Sequence, residues 1–267
     1  MKLAWLTDIH LNFLRPAALD AFLGMLSDTE ADAFVITGDI GEAHDIAGHL
    51  NAIDDAARRP VYFVLGNHDF YRGSIATVRK TVQQLCAVCP NLHWLPDAGV
   101  VPLTAEACLV GHDGWGDGRL GDYFGTDVLL NDLGLIEEFG GFDEDPGDRL
   151  AKLHALGEEA AAHFRAVLPD ALPRFGHVIV ATHVPPFRES CWHEGQVSND
   201  DWLPFFTCKA VGDVLSEAMA GAPGRTMTVL CGHTHGGGEA EILPSLRVLT
   251  GGARYGNPVV QRVIAVT

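Results

Sequence analysis

The sequence predicts an α/β fold from three observations. Short apolar runs at residues 3–6, 34–37 and 61–65 each lead into a polar turn rich in Gly, Asp or Asn, as strands buried on both faces do. Apolar side chains recur at helical spacing between or after these runs. Nearly half of the 267 residues, 47%, are apolar, enough for a large core and close to the upper size of one domain. A single domain over residues 1–267 is expected.

Taken in order, residues 16–27 follow the first run with Leu19, Phe22, Leu23 and Leu26 on one helical face, behind a Pro16 suited to a first turn. A second helix is predicted over 75–85, where Ile75, Val78, Val82 and Leu85 share a face before Pro90. The opening part thus reads βαβαβα. Shorter candidate strands at 92–95, 100–103 and 107–110 suggest an antiparallel or mixed extension. Residues 114–148, rich in Gly, Asp and aromatics without steady periodicity, predict a loop-rich insert at about 112–148. A helix over 149–167 with Asp148 as N-cap, a strand at 178–181, a helix at 210–219, a strand at 227–231 and a closing strand at 259–266 complete the reading.

The formal charge of −17 and the lack of any Lys/Arg run argue against a stable nucleic-acid partner and favour a small anionic substrate. No apolar stretch is long enough for a membrane span. Six cysteines do not suggest a disulfide scaffold, and with no signal-peptide layout at Lys2–Leu6 a cytoplasmic location is expected. Cys86 and Cys89 form either a structural helix-end pair or half of a zinc or redox site that lacks its second pair.

The chemistry is carried by fragments that follow apolar runs: Asp8-Ile9-His10, Gly38-Asp39, Gly66-Asn67-His68-Asp69, Thr182-His183 and Gly232-His233-Thr234-His235. Gly111-His112-Asp113 and Cys191-Trp192-His193 are weaker additions. Asp8 and His10 occupy alternate positions of an extended segment, so both can point the same way and share one metal. Asp39 follows a glycine that permits close backbone approach, and its two oxygens suit it to bridge two cations. Asn67 adds a carbonyl oxygen, and His183, His233 and His235 add imidazoles. Alone, His10 or His183 is an ordinary strand-end histidine and Asp39 an ordinary turn residue; together they form a nitrogen and oxygen ligand set. Cys231, at the end of an apolar run, reads as a buried thiol.

In this order and with these gaps, the fragments resemble those of the calcineurin-like metallophosphoesterases, over Asp8 to His235. Two departures are Thr7, where many members have Gly, and Glu42, where many have Asp; neither removes a ligand. The resemblance implies a four-layer αββα sandwich of two mixed sheets flanked by helices, with a dinuclear metal site on loops at one sheet edge. It implies that Asp8, His10 and His235 hold one ion, that Asn67, His183 and His233 hold the other, and that Asp39 bridges. It also implies that His68 contacts the phosphoryl group or protonates the leaving oxygen, with Asp69 orienting it; the alternative for Asp69 is a turn cap. Mixed nitrogen and oxygen ligands by themselves suit manganese, iron, zinc, cobalt or nickel; the resemblance implies two divalent or trivalent ions, with manganese or iron favoured and zinc the alternative.

The expected function is hydrolysis of a phosphoester, foremost a small-molecule phosphodiester, by a hydroxide bridging two cations about 3.5–4 Å apart. The alternatives are a phosphomonoesterase, including a protein Ser/Thr phosphatase, and a non-catalytic binding scaffold that keeps the fold. His112, Trp115, Arg119 and Tyr123 in the insert, and Trp192, His193 and Trp202 after His183, are either substrate contacts or anchors for their own loops. His154 and His163 are expected on a helix surface. Oligomeric state is not specified by the sequence.

Overall fold

In the computed structural model, residues 1–141 and 143–267 are described; Phe142, inside the expected insert, lies outside the described residues. The chain opens with β1 (Lys2–Leu6), α1 (Pro16–Asp28), β2 (Ala33–Thr37), α2 (Ile46–Ala57), β3 (Val61–Val64), α3 (Ile75–Cys86) and β4 (Leu92–Trp94). A one-turn α4 (Leu95–Ala98) leads to β5 (Val101–Pro102) and β6 (Ala107–His112). The insert holds a short α5 (Asp132–Leu135), after which come α6 (Pro146–Arg174), β7 (His177–Thr182), a small hairpin of β8 (Trp192–His193) and β9 (Gln196–Val197), α7 (Leu203–Phe206) and α8 (Lys209–Ala220). The chain closes through β10 (Thr226–Cys231), β11 (Gly238–Leu243), β12 (Leu246–Thr250) and β13 (Arg262–Ala265).

Among the described residues, two mixed sheets are ordered β13-β1-β2-β3-β4 and β11-β12-β10-β7-β6-β5. Their strands alternate faces, and the alternation builds the layers. Leu3, Trp5, Ala33 and Val35 of the first sheet meet Leu109, Ile179, Ala181 and Leu230 of the second in one buried cluster. The intervening Ala4, Leu6, Phe34 and Phe63 turn the other way onto Phe22, Leu26, Leu50, Ile53, Val78 and Val82 of α1–α3. On the far side Val110, Val178, Val180 and Val229 pack against Phe164 and Leu168 of α6 and Val211 and Leu215 of α8. Each fully buried Leu or Phe stabilises this arrangement by about 1.5–3 kcal/mol relative to exposure. The result is the αββα sandwich, and the continuous apolar runs follow from strands covered on both faces.

Several element predictions are corrected. The second helix of the βαβαβα unit is α2, whose Ile46, Leu50, Ile53 and Ala57 form its buried face. The strand expected at 92–95 stops at Trp94 and joins β3 in parallel, at the edge of the first sheet. The next two belong to the other sheet, β5 antiparallel to β6 and β6 parallel to β7. Helix α6 is longer than 149–167 at both ends. Its N-cap is Asp145, not Asp148, because Asp145 accepts from the Gly147 and Asp148 amides and Pro146 starts the first turn. It continues through Pro169 and Pro173 because Leu168, Ala171 and Leu172 are buried against the second sheet. The antiparallel pair β11–β12 was not anticipated, and the closing strand is shortened to Arg262–Ala265, antiparallel to β1. Among the described residues, no helix is long and apolar enough to cross a membrane.

Candidate metal centre

Strands β1, β2 and β3 are mutually parallel, as are β7 and β10. Parallel strands end at one edge of their sheet, which is where side chains of separate segments converge. The loops leaving those strands carry the five ligand fragments, and backbone bonds extend the order of the strands into them. Asp8 N–H donates to Gly38 O at 3.0 Å, His10 N–H to Asp39 O at 2.9 Å, and Gly232 N–H to His183 O at 2.9 Å.

Five of the expected ligands, Asp8, His10, Asp39, His233 and His235, have left-handed backbone, with φ between 41° and 69°. Non-glycine residues seldom adopt this region, and such strain gathers at functional sites. Glycines make the close approach possible. A Cβ on Gly66 would meet Asp39 and His183, and one on Gly232 would meet Asp8 and Thr7.

The structure brings all seven expected ligands together. Donor atoms of Asp8, His10, Asp39 and His235 lie within 4.8 Å of one another. His10 Nε2 is 3.1 Å from His235 Nε2 and 3.7 Å from Asp39 Oδ2, and His235 Nε2 is 3.4 Å from Asp8 Oδ1. A second group forms around the Asn67 carbonyl oxygen, 3.1 Å from His183 Nε2 and 3.0 Å from His233 Nδ1. Asp39 reaches this group as well, its Oδ1 lying 3.4 Å from His183 Nε2. Two imidazole nitrogens facing each other beside buried carboxylates are a donor set suited to cations of mixed nitrogen and oxygen preference.

The ligands are themselves held. Thr7 Oγ1 donates to Asp8 Oδ2 at 2.5 Å, giving the unusual residue before the first Asp a role, and His233 N–H donates to Asp8 Oδ1 at 3.0 Å. His183 Nδ1 is 2.8 Å from Thr37 O, an arrangement that fixes the ring and leaves Nε2 for the centre. His68 N–H donates to Asp39 Oδ1 at 3.0 Å, while its ring stacks on Tyr71 with 4.2 Å between centroids.

Burial pushes the carboxyls up and the imidazoles down. Asp39 is raised well above the usual carboxylate range by burial and by the charges of Asp8 and Asp69. In Asp8 burial acts the same way but is outweighed by a hydrogen bond to His235 and by His183, His235 and His10, which hold it below that range. Burial lowers His10 to about 2, and His68 and His233 to about 3 each. For His235 the bond to Asp8 outweighs burial and raises it. Unprotonated imidazoles offer lone pairs, as metal binding needs.

Asp69 is placed differently from expectation. Its Oδ1 accepts from the Ile40 and Gly41 amides and its Oδ2 from the Gly66 amide, each at 2.8 Å. Among the described residues it makes no hydrogen bond to the His68 ring, so it ties two ligand loops together instead of orienting that histidine.

A cleft of about 210 Å³ opens over the cluster, lined by Asp39, Asn67, His68, His233 and His235 among others. Of the residues expected near a substrate, His193 lines it, with Nδ1 3.0 Å from Thr234 O and its ring beside Trp202 and Phe206. Trp192 lies behind, its ring against Gly238. The others lie away from the cleft because other partners engage them. His112 faces Glu159 at 3.7 Å and the His163 ring, and Trp115 packs between Phe70 and Phe139 in the core. Arg119 pairs with Asp117 at 2.9 Å, and Tyr123 OH donates to Pro146 O at 3.0 Å. His163 is not a plain surface residue, since its ring packs on His112 and Phe164.

Sequence reasoning missed Tyr71, Leu130, Asn131 and Tyr255, all lining the cleft, and Asp132 beside it. Tyr71 lies three residues past His68, which was a usable signal; Asp132 and Tyr255 follow no motif. Tyr255, half exposed, stands over the centre with its ring 4.6 Å from that of His10 and 4.7 Å from that of Phe13. Cys86 and Cys89 are free, as are the buried Cys108, Cys191, Cys208 and Cys231.

A family model described as calcineurin-like phosphoesterase matches residues 1–237. Among curated proteins, the chain is similar to UDP-2,3-diacylglucosamine hydrolase of Pseudomonas paraeruginosa (strain DSM 24068 / PA7), 32% identical over 125 residues, covering 42% of this chain and 48% of that protein. Its counterpart in Stenotrophomonas maltophilia (strain K279a) is 30% identical over 125 residues, covering 42% and 46%. The chain thus spans about half the length of these relatives. Among solved structures, phosphopantetheinyl hydrolase from Mycobacterium tuberculosis aligns with a TM-score of 0.68 at 16% identity, covering 96% of this chain and 90% of that one. A dimetal phosphatase from Danio rerio aligns with a TM-score of 0.56 at 14% identity, covering 97% and 89%. These structural likenesses bear on the fold alone.

Proposed function

The chain belongs to the calcineurin-like phosphoesterase family and is a metal-dependent phosphoesterase, and from that premise we propose that it uses two cations to hydrolyse a small phosphodiester. The observation that carries this reading is the reach of Asp39. One of its oxygens is 3.7 Å from His10 Nε2 and the other 3.4 Å from His183 Nε2, so a single carboxylate touches both donor groups. Asp8, His10 and His235 would hold one ion, Asn67, His183 and His233 the other, and Asp39 would be shared. Cations bound there supply positive charge to phosphoryl oxygens and make a water acidic enough to deliver hydroxide near neutral pH. Mixed nitrogen and oxygen donors suit manganese, iron or zinc alike, and manganese or iron is favoured on the family resemblance, with zinc the alternative.

The protein's own groups then bind and orient. His68 lines the cleft beside Asp39, with burial holding its pKa down at about 3. An anionic phosphoryl group against its ring favours the protonated form, which can donate to a phosphoryl or leaving oxygen. The rings of Tyr255, His193 and Phe206 give the cleft apolar faces for the rest of the substrate. The modest cleft and the formal charge of −17 support a small substrate over a nucleic acid. The name of the curated relatives, UDP-2,3-diacylglucosamine hydrolase, lends the same support.

The test is to reconstitute the purified protein with manganese or iron and compare rates on bis-aryl and mono-aryl phosphates. Faster cleavage of the diester is expected. A clear preference for the monoester would move the reading to a phosphomonoesterase or protein phosphatase, and fewer than two ions per chain at saturation would remove the dinuclear part.

A further inference from the structure

Asn67 owes its orientation to a residue of the insert. Asp132 opens α5 and is buried, 65 positions along the chain from Asn67. Its Oδ1 accepts from Asn67 Nδ2 at 2.8 Å and from the Tyr71 hydroxyl at 2.7 Å, and Asn67 Nδ2 also donates to Tyr71 OH at 3.2 Å. The amide nitrogen therefore has both of its hydrogens engaged on one side. The amide oxygen is left on the other side with His183 Nε2 at 3.1 Å and His233 Nδ1 at 3.0 Å.

An asparagine amide is nearly symmetric in shape, and only its hydrogen-bond partners decide which end faces a site. An amide turned the wrong way would present N–H hydrogens to a cation. The short segment carrying Asp132 is docked firmly enough to enforce the choice. Arg72 N–H donates to Leu135 O at 2.7 Å and Glu137 N–H to Gly73 O at 3.0 Å, fastening α5 and the short turn after it to the turn that follows His68.

We propose that Asp132, braced by Tyr71, is a positioning residue for Asn67, and that the insert thereby sets the affinity of the cation position shared by Asn67, His183 and His233. The inference rests on the dinuclear reading above. A carboxylate oxygen at this place only accepts, so it selects the N–H₂ end of Asn67. An asparagine at 132 offers a carbonyl or an N–H₂ group to either end, and the selection is lost although shape and volume are kept.

The experiment strips metal from the wild type, Asp132→Asn and Tyr71→Phe, then titrates each with Mn²⁺ alone. Bound ions are counted by mass spectrometry, coupling between them is followed by electron paramagnetic resonance, and melting temperature is recorded. Loss of such an orienting partner is expected to weaken one ion by about 10- to 100-fold in Asp132→Asn, leaving the other ion tight and the coupled-pair signal diminished. Tyr71→Phe, which keeps the bond between Asp132 and Asn67, is expected to weaken the same ion by only about 2- to 10-fold. Unchanged affinity for both ions in Asp132→Asn, or equal weakening of both, overturns the proposal. Should Asp132→Asn fail to fold, unchanged binding in Tyr71→Phe overturns it. One ion in the wild type would instead sink the dinuclear reading, and this inference with it; two ions in the wild type with unaltered variants sinks the positioning role alone.

Discussion

The floor of the cleft and its rim are neighbours in space and opposites in construction. Every expected ligand on the floor follows the C-terminal end of a parallel strand, is buried or nearly so, and has its loop fastened to the next ligand loop by backbone hydrogen bonds. The rim is drawn from elsewhere: Leu130 and Asn131 from the insert, His193 from a two-strand hairpin, Tyr255 from a turn beyond β12. Tyr255 and its neighbour Phe13 are about half exposed. The floor takes its geometry from sheet order, whereas each rim residue depends on the path of its own loop. Chemistry and selectivity therefore rest largely on different parts of the molecule, with the contact of Asp132 on Asn67 as a link between the insert and the floor.

The sharpest way to break that contrast is at Asp39. Asp39→Ala is expected to lose metal and activity together, while His68→Ala keeps its metal and slows turnover by about 10²- to 10⁴-fold, the usual range for a lost general acid or phosphoryl contact. Metal counting and kcat on the same preparations check both, with circular dichroism confirming the fold; equal metal loss in the two variants would take His68 out of the catalytic role. On the rim, Tyr255→Ala should leave metal content and kcat on a generic aryl ester close to wild type and raise KM by about 2- to 10-fold, the scale of one ring-stacking contact. A fall in metal content there would mean that rim and floor are not separable.

The smallest effect is expected far from the centre, at His163. Burial and then the charge of His112 lower its pKa from the ordinary imidazole value to about 4. Its folded pKa lies below its unfolded one, so the unfolded state binds the proton more readily and stability falls as pH drops from about 6.5 toward 4. Melting temperatures measured across that window should fall less steeply in His163→Gln than in wild type. Identical slopes would show that the ring stays neutral for no energetic reason.

The contrast also explains what the sequence made readable. Apolar runs located β1, β2, β3, β7 and β10, and the residues that converge beyond them were legible in the sequence, because a strand end fixes where the next side chains go. Helix α2 was legible as well, since Ile46, Leu50, Ile53 and Ala57 repeat at helical spacing, although the sequence reading assigned no element to those residues. Strand β11 was obscured by its half-exposed faces, with charged and apolar residues mixed along Gly238–Leu243, whereas β12 is buried except at Arg247 and its short apolar run was a usable signal. Asp69 misled because a buried aspartate can cap backbone amides as readily as orient a histidine, and its partners Ile40 and Gly41 are distant in sequence. His112, Trp115, Arg119 and Tyr123 had the right chemistry for a substrate wall, but packing and ion pairs within the insert claim them. Asp132 carries no motif, and its importance depends on how the insert folds back onto Tyr71.

The left-handed backbone at Asp8, His10, Asp39, His233 and His235 has a consequence for how this centre can evolve. Asp and His are among the few residue types with side chains that tolerate that conformation, whereas β-branched residues adopt it only as outliers. If these residues hold cations as proposed, the peptide path and the cation filter the same positions for different reasons, and few substitutions pass both filters. Exchange of these side chains for bulkier or β-branched ones would require the loops to be rebuilt first, so the backbone by itself restricts which residue types can stand at the five positions.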